Sequence, residues 1–149
     1  MGKIEKRLEE LGIILPPVPI PLGTYKPVNQ VGSLLYTSGQ GSLSVIGRVG
    51  EDLTQEEGYE AAREAALRCL ACIQEELGTL DRVEKVWKVL GFVNSAPDFT
   101  QQPKVMNGAS DLLVEIFGEA GRHARSAIGA SQLPDGIAVE VEMIVQIRD

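Results

Sequence analysis

The segment from Gly121 to Ile147 constrains the fold more than any other part of this 149-residue chain. Its sequence, GRHARSAIGASQLPDGIAVEVEMIVQI, contains two strand-like runs, Ala124–Ala130 and Ala138–Ile147, joined by a turn. One arginine and two glutamates lie inside these runs. A charge buried in a sheet is costly unless it has a partner, so these charges mark either an ion pair or a functional site.

Alternation within the two runs predicts where the charges point. In the second run every other residue from Val139 onward is apolar, and we expect this face to meet helices. Glu140 and Glu142 then point to the opposite face, towards solvent or a neighbouring subunit. In the first run Arg125 shares a face with the small residue Ala127. A guanidinium beside open space is suited to binding a carboxylate through two hydrogen bonds.

The distance between the two charges follows if the runs pair directly through a turn at Pro134–Asp135. Arg125 and Glu140 would then lie about four residues, or roughly 13 Å, apart along the strands. That distance excludes a simple cross-strand ion pair and favours a cleft between subunits. Burial raises the pKa of a carboxylate, so a glutamate near a ligand-holding arginine can exchange protons near neutral pH. A charged subunit interface without chemistry is the alternative.

The rest of the sequence predicts an α+β fold in which a mixed six-stranded sheet carries two helices on one face, after a short extra N-terminal helix. The predicted segments are a helix at Lys3–Leu11, a hairpin within Tyr25–Gln40, a short strand within 41–50, a helix from the Thr54 cap to Leu77, a strand at Lys85–Asn94 and a helix at Pro103–Phe117. Two helices cover only one face of such a sheet. We therefore expect a second copy of the chain to cover the other face.

Length and composition indicate one domain over residues 1–149, with a helix and Pro-rich connector at 1–21 and the core at 22–149. The net charge is −7 and no basic run exists, so we expect no nucleic-acid partner. No apolar stretch approaches the roughly 20 residues of a membrane helix, and the first residues lack a signal-peptide core. A cytoplasmic protein without membrane association is therefore expected.

The cysteines and the single histidine do not predict a metal site. Cys69 and Cys72 lie deep inside a predicted helix, and His123 is the only histidine, so a zinc site would lack ligands. The cysteines are interpreted as small core residues. His123, at the entrance of a strand, is interpreted as a capping or surface residue.

Several motifs resemble the Rid proteins, the reactive intermediate deaminases also called RidA/YjgF or, by an older label, endoribonuclease L-PSP. These motifs are Gly23-Thr24-Tyr25, Leu35-Tyr36-Thr37-Ser38-Gly39-Gln40, Phe92-Val93 with Asp98-Phe99, and Ala124-Arg125-Ser126 through Leu133-Pro134 to Val139-Glu140-Val141-Glu142. The resemblance implies a chorismate-mutase-like fold and a homotrimer with ligand clefts between subunits. It also implies hydrolysis of small 2-imino or enamine acids to 2-keto acids and ammonia, without metal or cofactor.

The resemblance also implies roles for individual residues. Arg125 would bind the substrate carboxylate, and Glu140 would position or activate water. Tyr25, Ser38, Gly39, Asn107 and Ala127 would line the cleft, with Ala127 standing where RidA proteins commonly have cysteine. Two alternatives remain open: non-catalytic binding of a small carboxylate metabolite in the same cleft, and cleavage of RNA. The acidic charge and the lack of a histidine pair count against RNA cleavage.

Overall fold

A computed structural model describes residues 2–149 and has nine main helices and strands within that range. In chain order these are α1 (Lys3–Leu11), β1 (Val28–Val31), β2 (Leu34–Thr37), β3 (Gln40–Gly41), α2 (Gln55–Leu77), β4 (Val83–Asn94), α3 (Gln102–Phe117), β5 (Ala124–Ala130) and β6 (Val139–Ile147). Short 3₁₀ turns precede β4, β5 and β6. The predicted α+β fold, with its six strands and short N-terminal helix, is confirmed.

The strands form one mixed sheet in the order β1-β2-β6-β4-β5, with β3 pairing to β6 beyond the end of β2. The predicted direct pairing of the last two strands is wrong, because β4 lies between them. The connection through α3 returns the chain parallel to β4, as a helical crossover allows, and so leaves β5 at the sheet edge. The segment after β5 then crosses the end of β4, where the side-chain amide of Asn94 donates to the carbonyl oxygens of Gly136 and Ile137.

Helices α2 and α3 pack side by side on one face of the sheet. The start of α2 is set by the predicted capping box, in which the Thr54 hydroxyl accepts from the Glu57 backbone and the Glu57 carboxylate accepts from the Thr54 backbone. The two helices approach closely at Gly108 of α3, where an added Cβ would overlap the backbone carbonyl of Tyr59 in α2. This close approach holds α3 in a fixed position over β4 and β5.

The opposite face of the sheet, which we call the open face, is not covered by any element within residues 2–149. The strand register places the following residues there: Tyr36, Lys88, Leu90, Phe92, Ile128, Glu140, Glu142 and Ile144. Tyr36 is 43% exposed and Ile128 is 47% exposed, although both are large apolar side chains. An apolar surface of this kind is typical of a protein-protein interface.

The N-terminal helix α1 is bound to the body of the protein at its first turn and at its middle. The carboxylate of Asp81 accepts from the backbone N–H groups of Lys3 and Ile4 at distances of 3.0 and 2.7 Å. Arg7 Nε donates to the backbone carbonyl of Glu115 at the end of α3. Gly12, with φ of 68°, ends the helix as expected. Across residues 2–149, none of the helices has the length and hydropathy needed to cross a membrane.

Candidate functional site

Arg125 lies on edge strand β5, and its guanidinium is held by helix α3. Its Nη1 donates to the Asn107 side-chain oxygen at 2.9 Å and to the Ser110 hydroxyl at 3.0 Å. Asn107 and Ser110 are three residues apart on α3, so they share one face of that helix. Both hydrogens of Nη1 are therefore used, whereas Nε and Nη2 have no acceptor within residues 2–149. The free Nε–Nη2 edge is the side of a guanidinium that can bind a carboxylate through two parallel hydrogen bonds.

His123 extends this arrangement behind Ser110. Its Nε2 lies 2.9 Å from the Ser110 hydroxyl, and its Nδ1 lies 2.7 Å from the Gly121 carbonyl oxygen. Burial lowers the pKa of His123, the hydrogen bond to Gly121 opposes that shift, and the charges of Arg125 and Lys85 lower the pKa further. The imidazole is therefore neutral at neutral pH. The sequence interpretation of His123 as a capping or surface residue agrees with its contact to the Gly121 carbonyl oxygen at the end of a 3₁₀ turn, but His123 is half-buried and also belongs to the cluster around Arg125.

These residues line an open cleft of about 540 Å³ between α3 and the start of β5. Its walls are formed by Asn107, Ser110, Asp111, Val114, Glu115, Arg122, His123 and Arg125. Burial lowers the pKa of the Arg125 guanidinium and the Asp111 carboxylate opposes the shift, but an arginine stays protonated at physiological pH. We call Asn107, Ser110, His123 and Arg125 the arginine half-site.

Glu140 lies in a different environment, on β6 at the open face. It faces Gly41 of β3 on one side and Phe92 of β4 on the other. Burial raises the pKa of the Glu140 carboxyl, and the charge of Glu142, two residues away on the same face, raises it further. The carboxyl therefore takes up a proton more readily than an exposed glutamate. Within residues 2–149 neither Glu140 nor Arg125 forms an ion pair.

Gly39, in the loop after β2, lies next to the Glu140 carboxylate. A Cβ at Gly39 would lie 2.7 Å from Glu140 Oε2, so a larger residue there would require the Glu140 side chain to move. The Ser38 hydroxyl donates to the Lys26 carbonyl oxygen at 2.6 Å and fixes the chain beside Tyr25, which is 51% exposed. We call Tyr25, Ser38, Gly39 and Glu140 the glutamate half-site.

Within one chain, Arg125 and Glu140 are far apart, as expected for residues that would meet only in a cleft between subunits. Arg125 pairs with Val89, whose side chain is buried under the helices, whereas Glu140 pairs with Phe92 on the open face. The two half-sites of one chain thus lie on opposite faces of the sheet. Ala127 lies on the same face as Arg125, opposite Gly91, and packs partly against the core outside the cleft walls.

Ser110 and the contribution of His123 were not predicted from the sequence. The available signal was the spacing of Asn107 and Ser110, which places two polar side chains on one face of a helix that otherwise packs on the sheet. Their meeting with His123 depends on the parallel placement of β5 beside β4, which short-range patterns do not contain. Among residues 2–149 no group of three or more histidine, cysteine, aspartate or glutamate side chains is arranged to hold a metal ion.

Comparison with known proteins agrees with this fold. The family described as "YjgF/chorismate_mutase-like, putative endoribonuclease" matches residues 5–144, and the chain belongs to this family, which contains the Rid proteins. The chain is 44% identical over 154 residues to "Protein TCP17" of Trypanosoma cruzi, covering 99% of this chain and 96% of that protein. It is 33% identical over 136 residues to "2-iminobutanoate/2-iminopropanoate deaminase" of Dermatophagoides farinae, covering 91% of this chain and 95% of that protein.

A solved structure extends the comparison to three dimensions. The protein Atu1372 of unknown function from Agrobacterium tumefaciens superposes with a TM-score of 0.91 at 41% identity. The match covers 97% of this chain and 92% of that chain. The similarity therefore includes nearly the whole fold.

Proposed function

We propose that the protein hydrolyses small 2-imino or enamine acids to 2-keto acids and ammonia, in clefts that two subunits build together. The proposal rests on the hydrogen bonding of the Arg125 guanidinium. Its Nη1 is held on α3 by Asn107 and Ser110, while its Nε–Nη2 edge is free to bind a carboxylate. A substrate with a carboxylate next to its reacting carbon would be fixed at one end by this edge.

Glu140 supplies the proton transfers in the proposed reaction. Its carboxylate takes a proton from water as the water oxygen attacks C2 of the iminium, and a carbinolamine forms. The same carboxyl group returns that proton to the nitrogen. The C–N bond then breaks as the carbonyl forms, the Glu140 carboxylate takes the proton of the carbinolamine hydroxyl, and this proton leaves with the ammonia as ammonium beside the 2-keto acid. A raised pKa suits both steps, because general acid-base catalysis is most effective when the pKa lies near the working pH. An iminium is already electrophilic, so positioning and proton transfer are sufficient chemistry.

The opposite placement of the two half-sites supports a cleft between subunits. Arg125 and Glu140 of one chain are separated by the sheet itself, so the two side chains can face one substrate only when they come from different copies. Contact between the arginine half-site of one copy and the glutamate half-site of the next is a head-to-tail contact, which closes into a ring. We propose a homotrimer, in which neighbouring copies also cover the apolar open face.

The similarity to known proteins supports the same reaction class. The Dermatophagoides farinae relative carries the name of a 2-iminobutanoate/2-iminopropanoate deaminase, and the match covers nine-tenths of this chain. Arg125 and Glu140 are the residues that we propose for carboxylate binding and proton transfer. Tyr25, Ser38 and Gly39 would form the wall beside Glu140, and Asn107 the wall beside Arg125.

Ammonia release from 2-iminopropionate, generated in situ by an amino-acid oxidase, tests the proposal directly. We expect the wild-type protein to accelerate hydrolysis above the spontaneous rate. Arg125→Lys removes the planar two-hydrogen-bond contact and should raise KM by about 10- to 100-fold. Glu140→Gln removes the proton carrier and should lower kcat by about 10²- to 10⁴-fold. Matched controls are Arg48→Lys and Glu56→Gln, which change the same residue types outside both half-sites.

The alternatives give different results in the same experiment. Thermal stabilisation by pyruvate without any ammonia release would select the binding protein and reject the enzyme. Cleavage of RNA that persists in Arg125→Lys and Glu140→Gln, without deamination, would reject the proposed use of both half-sites. Equal turnover by the wild type and both variants would remove Arg125 and Glu140 from the mechanism.

A further inference from the structure

A chain of hydrogen bonds runs from the backbone of the protein to the guanidinium of Arg125. The Gly121 carbonyl contacts His123 Nδ1, His123 Nε2 contacts the Ser110 hydroxyl, and that hydroxyl contacts Arg125 Nη1. The three distances are 2.7, 2.9 and 3.0 Å. Ser110, His123 and Arg125 line the cleft.

The direction of every hydrogen bond in this chain follows from chemistry. A carbonyl oxygen only accepts, so His123 Nδ1 carries the hydrogen. A neutral imidazole then has a bare Nε2, which accepts the hydrogen of the Ser110 hydroxyl. The hydroxyl oxygen keeps its lone pairs for Arg125, which can only donate. The donors therefore point one way, from Arg125 to Ser110 to His123 to Gly121, and each bond polarises the next.

The charged groups around His123 favour its neutral form. Arg125 on β5, Arg122 before β5 and Lys85 on β4 are cationic, and Lys85 Nζ is held on the Arg122 carbonyl oxygen at 2.9 Å. Asp111 and Glu115 face the cleft from α3, but each has another partner: the Tyr59 hydroxyl donates to Asp111, and Arg63 pairs with Glu115. The imidazole is therefore available as an acceptor for Ser110.

We propose that Ser110 and His123 are positioning residues that orient Arg125 for carboxylate binding. This inference rests on the proposed function, since it concerns the arginine that would hold the substrate. Ser110 acts on Arg125 through one hydrogen bond, and His123 acts only through Ser110. Asn107 holds the other hydrogen of the same nitrogen, so the guanidinium plane is fixed and its free edge faces the cleft.

Binding of pyruvate, measured by calorimetry, tests this role without requiring turnover. Ser110→Ala should weaken the Kd by about tenfold, because it removes a hydrogen bond to a charged group, and alanine suits a helix at least as well as serine. His123→Ala should weaken the Kd by about three- to fivefold, because Ser110 remains but can turn. His123→Gln offers an acceptor near the Nε2 position and should recover most of the affinity. Ser33→Ala is the matched control at an exposed serine of the β1–β2 turn.

If His123 acts only through Ser110, the losses in pyruvate affinity caused by the two substitutions should not add. The double variant Ser110→Ala/His123→Ala should bind pyruvate no more weakly than Ser110→Ala alone, because His123 has no independent path to Arg125. In the deaminase assay the same variants should raise KM with kcat within about twofold, since neither residue touches the reacting atoms. Additive losses would show two independent effects and overturn the serial chain.

Nuclear magnetic resonance of the arginine side chain separates this proposal from the proposed function. A guanidinium held through Nη1 rotates slowly about its Nε–Cζ bond, so wild-type Arg125 should give distinct Nη signals even if pyruvate does not bind. Ser110→Ala should average those signals. If pyruvate does not bind and the signals still respond to Ser110→Ala, the proposed function fails while the positioning role stands. Unchanged signals in Ser110→Ala, or a large loss of kcat at unchanged Kd, would overturn the positioning role.

Discussion

Arg125 and Glu140 project from opposite faces of the same sheet and are separated along it by three residues of the strand between them. Arg125 pairs with Val89, and Glu140 pairs with Phe92 of the same strand, β4. The offset of three residues along β4 corresponds to about 10 Å. The two strand spacings from β5 to β6 correspond to about another 10 Å across the sheet. A small substrate held by Arg125 of one copy therefore cannot reach Glu140 of that copy. Either the two charges act separately, or they act together across a subunit boundary.

The pH dependence of turnover should change when the negative charge of Glu142, next to Glu140, is removed. Burial is the main cause of the raised pKa of Glu140, and the Glu142 carboxylate adds to it. Glu142→Gln removes that negative charge, so the pKa of Glu140 should fall. The acid limb of the kcat–pH profile should then move to lower pH, because Glu140 loses its proton earlier as pH rises. Glu56→Gln is the control. If the acid limb does not move in Glu142→Gln, the limb does not report the ionisation of Glu140.

The contact between α2 and α3 should tolerate no side chain at Gly108. An added Cβ would overlap the Tyr59 carbonyl oxygen, which is backbone and cannot turn away. Gly108→Ala should therefore lower the free energy of unfolding by about 1–3 kcal/mol, although alanine normally favours a helix. Urea denaturation measures the change, with Lys104→Ala at an exposed position of α3 as control. Equal or greater stability in Gly108→Ala would contradict the close helix packing that positions Asn107.

The two cysteines should not react in the folded protein. Cys69 and Cys72 are buried, and burial raises the pKa of Cys69 to about 12 and that of Cys72 in the same direction. A thiol reagent at pH 8 should modify neither residue in native conditions and both after denaturation, because the thiolate is the reactive form. Rapid modification of the native protein would contradict their interpretation as core residues.

Much of this fold could be predicted from sequence because its signals are local. Gly12 ends α1, the Thr54 capping box begins α2, and alternation along β6 assigned Val139 and Glu140 to the correct faces. The pairing of strands could not be predicted in the same way. It depends on α3 carrying β5 to the far side of β4, a long-range choice that no turn motif specifies.

The candidate site shows the same division between local and long-range information. Arg125 and Glu140 could be selected from the sequence because charged residues in buried strands are rare. A cleft between subunits could also be expected, but the placement of the two side chains on opposite faces of one sheet could not, since it depends on strand pairing. The contact between Ser110 and His123 could not be predicted for the same reason, because the two residues meet only after β5 is in position.

Subunit complementation tests the central claim most directly. At a substrate concentration below KM, Arg125→Lys and Glu140→Gln proteins should each have little deaminase activity, because every cleft in either assembly lacks either the Arg125 guanidinium or the Glu140 carboxylate. When the two variants are unfolded together, mixed in equal amounts and refolded, about one cleft in four should combine an intact Arg125 with an intact Glu140 from different copies. We expect activity on 2-iminopropionate to return to about a quarter of the wild-type value. A refolded mixture no more active than the average of the two separate variants would contradict it.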